Sequence, residues 1–179
     1  MAKALDQAPT DLEAILAQES SLVFPTFTAD TAYTLGTYLY TRLRSFSSSP
    51  CVINITLANS AQLLFHACTH PGTSPDNDIW VARKRATVLR WGCSSWYMSQ
   101  KFEANHNWES KEKTFAEKYM LGEKAGQYAI HGGGVPVRVR GVEGIVGVVV
   151  VSGLKQHEDH AVVVEGILEI IEQLEQGIN

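Results

Sequence analysis

The segment from His131 to Asp159 constrains the fold more than any other part of the chain. Three consecutive glycines, Gly132 to Gly134, lead into Pro136, and an apolar run from Ile145 to Val151 follows. That run is rich in valine and broken by glycine, which is typical of a buried strand passing close to another group. Glycine has no side chain and accepts positive φ, so the triplet allows a neighbouring group to approach the backbone closely. We therefore expect either a glycine-lined cleft or a tight packing joint here.

The rest of the sequence predicts helices and strands in separate groups. Apolar spacing predicts helices over residues 11–19, 28–44, 76–91, 94–103, 111–121 and 157–174, and strands over 52–57, 63–67, 135–139 and 145–151. Asn59-Ser60 lies between the first two strands as a hairpin turn. Strands in antiparallel pairs, with helices before and after them, indicate an α+β layered domain. The 179 residues fit one such domain over residues 1–179.

Composition and charge exclude several classes of protein. No stretch reaches the roughly eighteen apolar residues of a membrane-spanning helix, and Met1 to Pro9 lacks the apolar core of a signal peptide. The three cysteines, Cys51, Cys68 and Cys93, are odd in number and lie in or beside apolar runs, which favours buried, reduced thiols. A net charge of -4 argues against general nucleic-acid binding. We therefore expect a cytoplasmic protein without membrane insertion and without a nucleic-acid partner.

Two segments of the chain resemble a known family. The order GGGVPV at 132–137, then GIVGVVVVSGLKQHEDHAVVVEGI at 144–167, resembles the C-terminal signature of the haem-degrading domain family. That family includes the GlcG and HbpS proteins and the C-terminal domain of the PduO adenosyltransferases. The positions that match its pattern are Gly132, Gly133, Gly134, Pro136, Val151, Ser152, Gly153 and Asp159. Val150 departs from it, since the family often has glycine there. The segment DNDIWVARKRATVLRW at 76–91 resembles a cytosolic branch of the family found in fungi and bacteria.

This resemblance implies a fold and several functions. The fold would be profilin-like, with an antiparallel sheet of about five strands flanked by helices. Family members form rings or larger assemblies, so the resemblance implies a homo-oligomer. The family name implies haem or another tetrapyrrole as the cofactor, or haem degradation as the activity. The fungal branch implies an adaptor with a protein partner in the targeting of tail-anchored membrane proteins.

The candidate ligand site follows from the same glycine-rich segment. The expected lining of a cleft comes from this segment, the strand end and the start of the closing helix: His131, Gly132, Gly133, Gly134, Ser152, Gly153 and Gln156. Backbone N–H groups beside a helix start form a natural anion site. The alternative is a purely structural turn. The string from His131 to Gly134 also matches the oxyanion-hole motif of some α/β-hydrolases, but no Gly-x-Ser-x-Gly nucleophile elbow follows it. No constellation in the sequence supports catalysis.

The segment 80–97 combines aromatic and basic side chains. Tryptophan and arginine are typical anchors of protein interfaces. We therefore expect a subunit contact that includes Trp80, Arg83, Trp91, Trp96 and Tyr97. Arg83, Thr87 and Arg90 share one face of the predicted helix, and Lys84 lies beside it. This face could bind anionic groups. The alternatives are a solvated surface or an ion pair between subunits with the acidic closing helix.

Histidines are the remaining candidates for metal or haem ligands. His157 and His160 lie one helical turn apart, as in some divalent metal sites, but no second ligand cluster accompanies them. An exposed helix start is the simpler interpretation. None of the six histidines lies in a recognisable haem motif. We therefore expect a binding protein for a small anionic or planar ligand or for a protein partner. The alternatives are a haem-binding or haem-degrading protein and an adaptor.

Overall fold

The computed structural model describes residues 4–103 and 110–177. Within these ranges the chain forms α1 (Leu12–Ser21), β1 (Val23–Phe24), α2 (Ala29–Phe46), β2 (Val52–Leu57), β3 (Leu63–Cys68), α3 (Pro75–Trp91), α4 (Ser95–Glu103), α5 (Lys111–Lys118), a 3-10 helix (Gly122–Gln127), β4 (Gly134–Val139), β5 (Gly147–Ser152) and α6 (Gln156–Glu175).

The five strands form one sheet in the order β1-β4-β5-β2-β3. β2 pairs antiparallel with β3 and with β5, and β4 pairs antiparallel with β5. β1 contributes two residues that pair parallel with β4, so the sheet is mixed. The predicted α+β class and five-stranded sheet are confirmed. The short parallel strand β1 is the one departure from an antiparallel sheet among the described residues.

β5 lies in the middle of this sheet and is buried on both faces. Val149 and Val151 belong to the main core, between the sheet and helices α2 and α6. Val148 and Val150 belong to a smaller core beneath α3. Because both faces are covered, the strand has no polar face, which explains its continuous valine run. The prediction of a buried strand over this run is confirmed, although its first residue is Gly147 rather than Ile145.

Local sequence signals set the helix ends. The Thr31 N–H donates to Thr28 Oγ1 at 3.3 Å, and the Thr28 N–H donates to Thr31 Oγ1 at 3.2 Å, so the two threonines cap the start of α2. Pro75 occupies the first turn of α3, and Gly92 ends that helix with a left-handed φ of 67°. The predicted helices agree with the observed ones to within a few residues at each end. The 3-10 helix was not predicted.

Three further expectations concern the rest of the chain. No helix within residues 4–103 and 110–177 has the length and apolar character that a bilayer crossing requires.

The three cysteines are free; Cys51 is buried and Cys93 is partly buried. Cys68 is exposed on the edge strand β3, so the expectation of buried thiols is wrong for that residue. The residues predicted to be irregular, 105–110, lie outside the described residues except for Ser110.

Candidate functional site

A pocket of about 300 Å³ lies at the corner where β5 turns into α6, and we call it the corner pocket. It is lined by Asp76, Asn77, Trp80, Lys84, His131, Ser152, Gly153, Leu154, Gln156 and Asp159. The structure therefore brings four of the predicted site residues together: His131, Ser152, Gly153 and Gln156. It adds the first turns of α3 to them, which sequence reasoning had not assigned to this site.

The buried base of the corner pocket is an ion pair between α3 and α6. Lys84 Nζ lies 3.0 Å from Asp159 Oδ2, and both side chains are 3% exposed. Lys84 also donates to the carbonyl of Val151 at 3.1 Å. The other Asp159 oxygen accepts from the Leu154 N–H at 3.0 Å, which fixes the turn between β5 and α6. Burial raises the pKa of the Asp159 carboxyl, and the charge of Lys84 and the backbone N–H groups oppose that rise.

Sequence reasoning missed this pair, although a signal for it was present. From the sequence, Lys84 lies beside a face that could bind anionic groups, stay solvated or pair with the acidic closing helix of another subunit. It lies instead on the apolar stripe of α3 that also carries Val81 and Val88, at helical spacing of three and four residues. A lysine on such a stripe is buried as a rule only with a partner. The acidic closing helix was the correct partner, but within the same chain.

The glycine triplet forms the packing joint behind the corner pocket. Gly133 has a φ of +118°, and an added Cβ would collide with the Val151 carbonyl and lie 2.8 Å from Lys84 Nζ. An added Cβ at Gly132 would collide with the carbonyl of Gln156. Of the two alternatives, cleft lining or tight joint, the geometry shows a tight joint whose neighbours line the pocket. A substitution at Gly133 would consequently strain the fold, and it is unsuitable as a test of ligand binding.

His131 and Trp80 form an aromatic wall of the corner pocket. Their rings meet edge to face, with centroids 4.9 Å apart and an interplanar angle of 76°. His131 Nε2 lies 3.7 Å from Glu112 Oε1, and its buried Nδ1 has no hydrogen-bond partner in the part of the chain that the structure describes. Burial lowers the pKa of this histidine, and the nearby charge of Lys111 lowers it further. The carboxylate of Glu112 opposes this shift, so the fold on balance favours the neutral imidazole.

The aromatic residues predicted at a subunit contact pack largely within the chain. Trp91 contacts the rings of Phe115, Tyr119 and Tyr128 at centroid distances of 4.9–5.0 Å. Tyr97 is partly buried beside the same cluster. Trp80 and Arg83 flank the corner pocket, with the guanidinium 4.6 Å from the centre of the indole. Association through this region stays a prediction.

Trp96 packs against its own chain. Its side chain is 5% exposed, its indole N–H donates to the carbonyl of Pro9 at 2.7 Å, and its ring stacks on His160 with the centroids 6.0 Å apart. Most of the indole is therefore covered by its own chain, and a subunit contact at or near Trp96 stays a prediction. Composition alone does not separate an aromatic residue that fills a core from one that anchors an interface.

The two histidines at the start of α6 do not converge. His160 is fully buried, and its Nε2 lies 3.2 Å from Gln18 Oε1. Burial lowers the pKa of His160 to about 3. His157 is exposed on the surface of the same helix. Over the described ranges, no group of three or more His, Cys, Asp or Glu residues is arranged to hold a metal ion.

Comparisons with known proteins agree with this architecture. The family model described as "Haem degrading protein HbpS-like" matches residues 27–168. The UPF0303 protein SCO2848 of Streptomyces coelicolor is 46% identical over 164 residues, covering 92% of this chain and 95% of that protein. The UPF0303 protein YBR137W of Saccharomyces cerevisiae is 35% identical over 170 residues, covering 94% and 89%.

Solved structures show the same fold. The crystal structure of the Ybr137w protein superposes with a TM-score of 0.79 at 32% identity, covering 92% of this chain and 89% of that one. The crystal structure of a PduOC:heme complex superposes with a TM-score of 0.59 at 15% identity, covering 82% and 95%. The match of the family model, the identity to the UPF0303 proteins and the shared fold place this chain in the HbpS-like haem-degrading family.

Proposed function

We propose that this protein binds a small planar molecule in the corner pocket. The observation that carries the proposal is the convergence of Trp80, His131, Ser152 and Gln156 around one cavity. Ligand sites are typically concave, with aromatic walls and a few polar groups that orient the ligand, and this cavity has both. Its volume of about 300 Å³ lies at the lower end of such sites. A small ligand is therefore expected.

The aromatic wall is held in place before any ligand arrives. The Trp80 indole N–H donates to Asp76 Oδ2 at 3.1 Å, and Arg83 lies against the ring. His131 packs on the same indole. A fixed aromatic side chain offers contact area to a flat ligand at little cost in conformational entropy. This arrangement favours a planar molecule over a flexible one.

Haem is the ligand that the family description suggests, and a structural neighbour is a complex with haem. The corner pocket does not fit an enclosed, axially ligated haem. Haem iron requires an axial ligand from a side chain such as histidine. Among the residues that line this pocket, His131 supplies the imidazole, but its Nδ1 is buried and its Nε2 is directed towards Glu112. A cavity of about 300 Å³ is also small for a tetrapyrrole.

Ligand screening by NMR tests the proposed function. A set of small planar compounds would be added to the protein, and the indole N–H signal of Trp80 and the backbone N–H signals of the other lining residues would be followed. Binding in the corner pocket should shift the Trp80 signal, and Trp80→Ala should weaken that binding at least tenfold because an aromatic wall is lost. Tyr33→Ala is the matched control, since Tyr33 is 65% exposed and remote from the lining. Binding that survives Trp80→Ala unchanged would refute the proposed site.

A further inference from the structure

The orientation of Gln156 is fixed by the fold. Lys111 Nζ, which can only donate, lies 2.8 Å from Ser99 Oγ. The Ser99 hydroxyl donates its proton to Gln156 Oε1 at 3.2 Å. Because the amide oxygen accepts this bond, the amide nitrogen is the polar atom left for the corner pocket. No hydrogen bond from Gln156 Nε2 is present among the described residues.

Asn77 is oriented in the same way at the start of α3. The backbone N–H of Ser74 donates to Asn77 Oδ1 at 2.8 Å. A backbone N–H requires an acceptor, so the oxygen of this amide is identified by its partner. Asn77 Nδ2 makes no hydrogen bond to the described parts of the chain. Both carboxamides that line the corner pocket thus use their oxygens in the fold and keep their N–H groups for a ligand.

The acceptors that line the same cavity are largely occupied. One oxygen of Asp159 accepts from Lys84 and the other from the Leu154 N–H. One oxygen of Asp76 accepts from the Trp80 indole, and the rest of that exposed carboxylate faces water at the rim. The first turns of α3 and α6 also line the cavity, and the positive ends of their dipoles converge there. The side-chain acceptors left include His131 Nδ1, which is buried, and the Asp76 carboxylate at the rim, whereas Gln156 and Asn77 both offer N–H groups without a partner among the described residues.

We propose that the corner pocket recognises a small aromatic carboxylate, an inference that rests on the proposed function. A carboxylate accepts hydrogen bonds and donates none, so it matches Gln156 Nε2 and Asn77 Nδ2. The ring of the same molecule packs against Trp80. At roughly 30 Å³ for a water-sized group, the cavity holds about ten non-hydrogen atoms, which is the size of a single ring with one carboxylate.

Benzoate and benzamide are the probes that test this inference. They have the same shape, but benzamide presents an NH2 group in place of one carboxylate oxygen. Calorimetric titration should show benzoate binding at least tenfold more tightly than benzamide. Gln156→Glu keeps an acceptor for Ser99 and replaces the free donor by a negative oxygen, so it should weaken benzoate binding at least tenfold. An acid in the first turn also suits the start of α6, so this variant is expected to fold.

Two further variants complete the test. Gln127→Glu makes the same change of charge at an exposed position outside the pocket and should alter benzoate affinity less than twofold. Asp76→Asn removes the carboxylate at the rim and should tighten benzoate binding, because like charges repel. Equal affinities for benzoate and benzamide, or unchanged benzoate affinity in Gln156→Glu, would overturn the carboxylate inference. A benzamide-induced shift of the Trp80 signal would then leave the proposed function standing. If no planar compound moved that signal, the proposed function would fail as well.

Discussion

Lys84→Met should destabilise the fold by about 3–5 kcal/mol, because it leaves the Asp159 carboxylate buried without its counter-charge. Methionine has a similar length, so the lost charge and hydrogen bonds dominate over any lost packing. A domain of this kind is typically stable by about 5–15 kcal/mol, so the loss would be a large part of the total. With a urea m-value of about 2 kcal/mol/M, the unfolding midpoint followed by circular dichroism should fall by roughly 2 M.

A second substitution identifies the cause of this loss. Asp159→Asn in the Lys84→Met background removes the uncompensated charge but keeps an oxygen for the Leu154 N–H. The double variant should therefore lie within about 2 kcal/mol of the wild type, since replacing both members of a buried pair is often nearly neutral. Lys124→Met is the control, because this exposed lysine should contribute less than about 0.5 kcal/mol. A single variant that loses less than about 1 kcal/mol, or a double-mutant cycle without coupling, would refute the reasoning.

Three further predictions concern acid stability, haem and assembly. Burial lowers the pKa of His160 from 6.5, its value in the unfolded chain, to about 3 in the fold. Below pH 6.5 the unfolded state therefore takes up a proton that the folded state does not, and stability falls as the pH is lowered. Between pH 6.5 and pH 5 this should remove about 1.6 kcal/mol in urea titrations, and His160→Gln should abolish that part while His157→Gln should not. Haem added to the protein should bind with a micromolar dissociation constant or weaker, and a tight complex lost on His131→Ala in a spectral titration would contradict this. Light scattering should give a mass more than twice that of the 19.7 kDa chain, and a clean monomer would contradict the predicted assembly.

The fold was predictable because its strongest signals are local. The valine run of β5, the capping residues Thr28 and Ser74, and Gly92 at the end of α3 each determine a short segment by themselves. β1 was harder to predict as a strand, because two residues are too few to show an alternation of apolar and polar side chains. Its parallel partner β4 also lies more than a hundred residues away in the sequence. The adaptor function implied by the family resemblance stays a prediction.

The candidate site was predictable where its residues lie near one another in the sequence or on neighbouring strands. His131 precedes the glycine triplet and Ser152 ends the strand that packs on it, so adjacent motifs indicated one site. The contribution of α3 was not predictable in this way, because it depends on how a helix packs across the sheet. Trp80 was assigned to an interface for the same reason, since a partly exposed tryptophan beside a pocket and one at a subunit contact look alike in the sequence.

The ion pair, the glycine joint and the corner pocket are parts of one arrangement. Lys84 extends from α3 to the Val151 carbonyl near the end of β5 and to Asp159, and it can do so because Gly133 places no side chain in its way. Asp159 in turn holds the Leu154 N–H and so fixes the turn that carries Ser152 and Gln156. The polar and aromatic walls of the pocket are therefore positioned by the same buried contact. Lys84→Met with Asp159→Asn keeps the bond from the Leu154 N–H but loses the ion pair and the bond from Lys84 to the Val151 carbonyl. This double variant should therefore bind benzoate more weakly than the wild type in calorimetric titration, because α3 and its side of the pocket are held less firmly against β5 and α6.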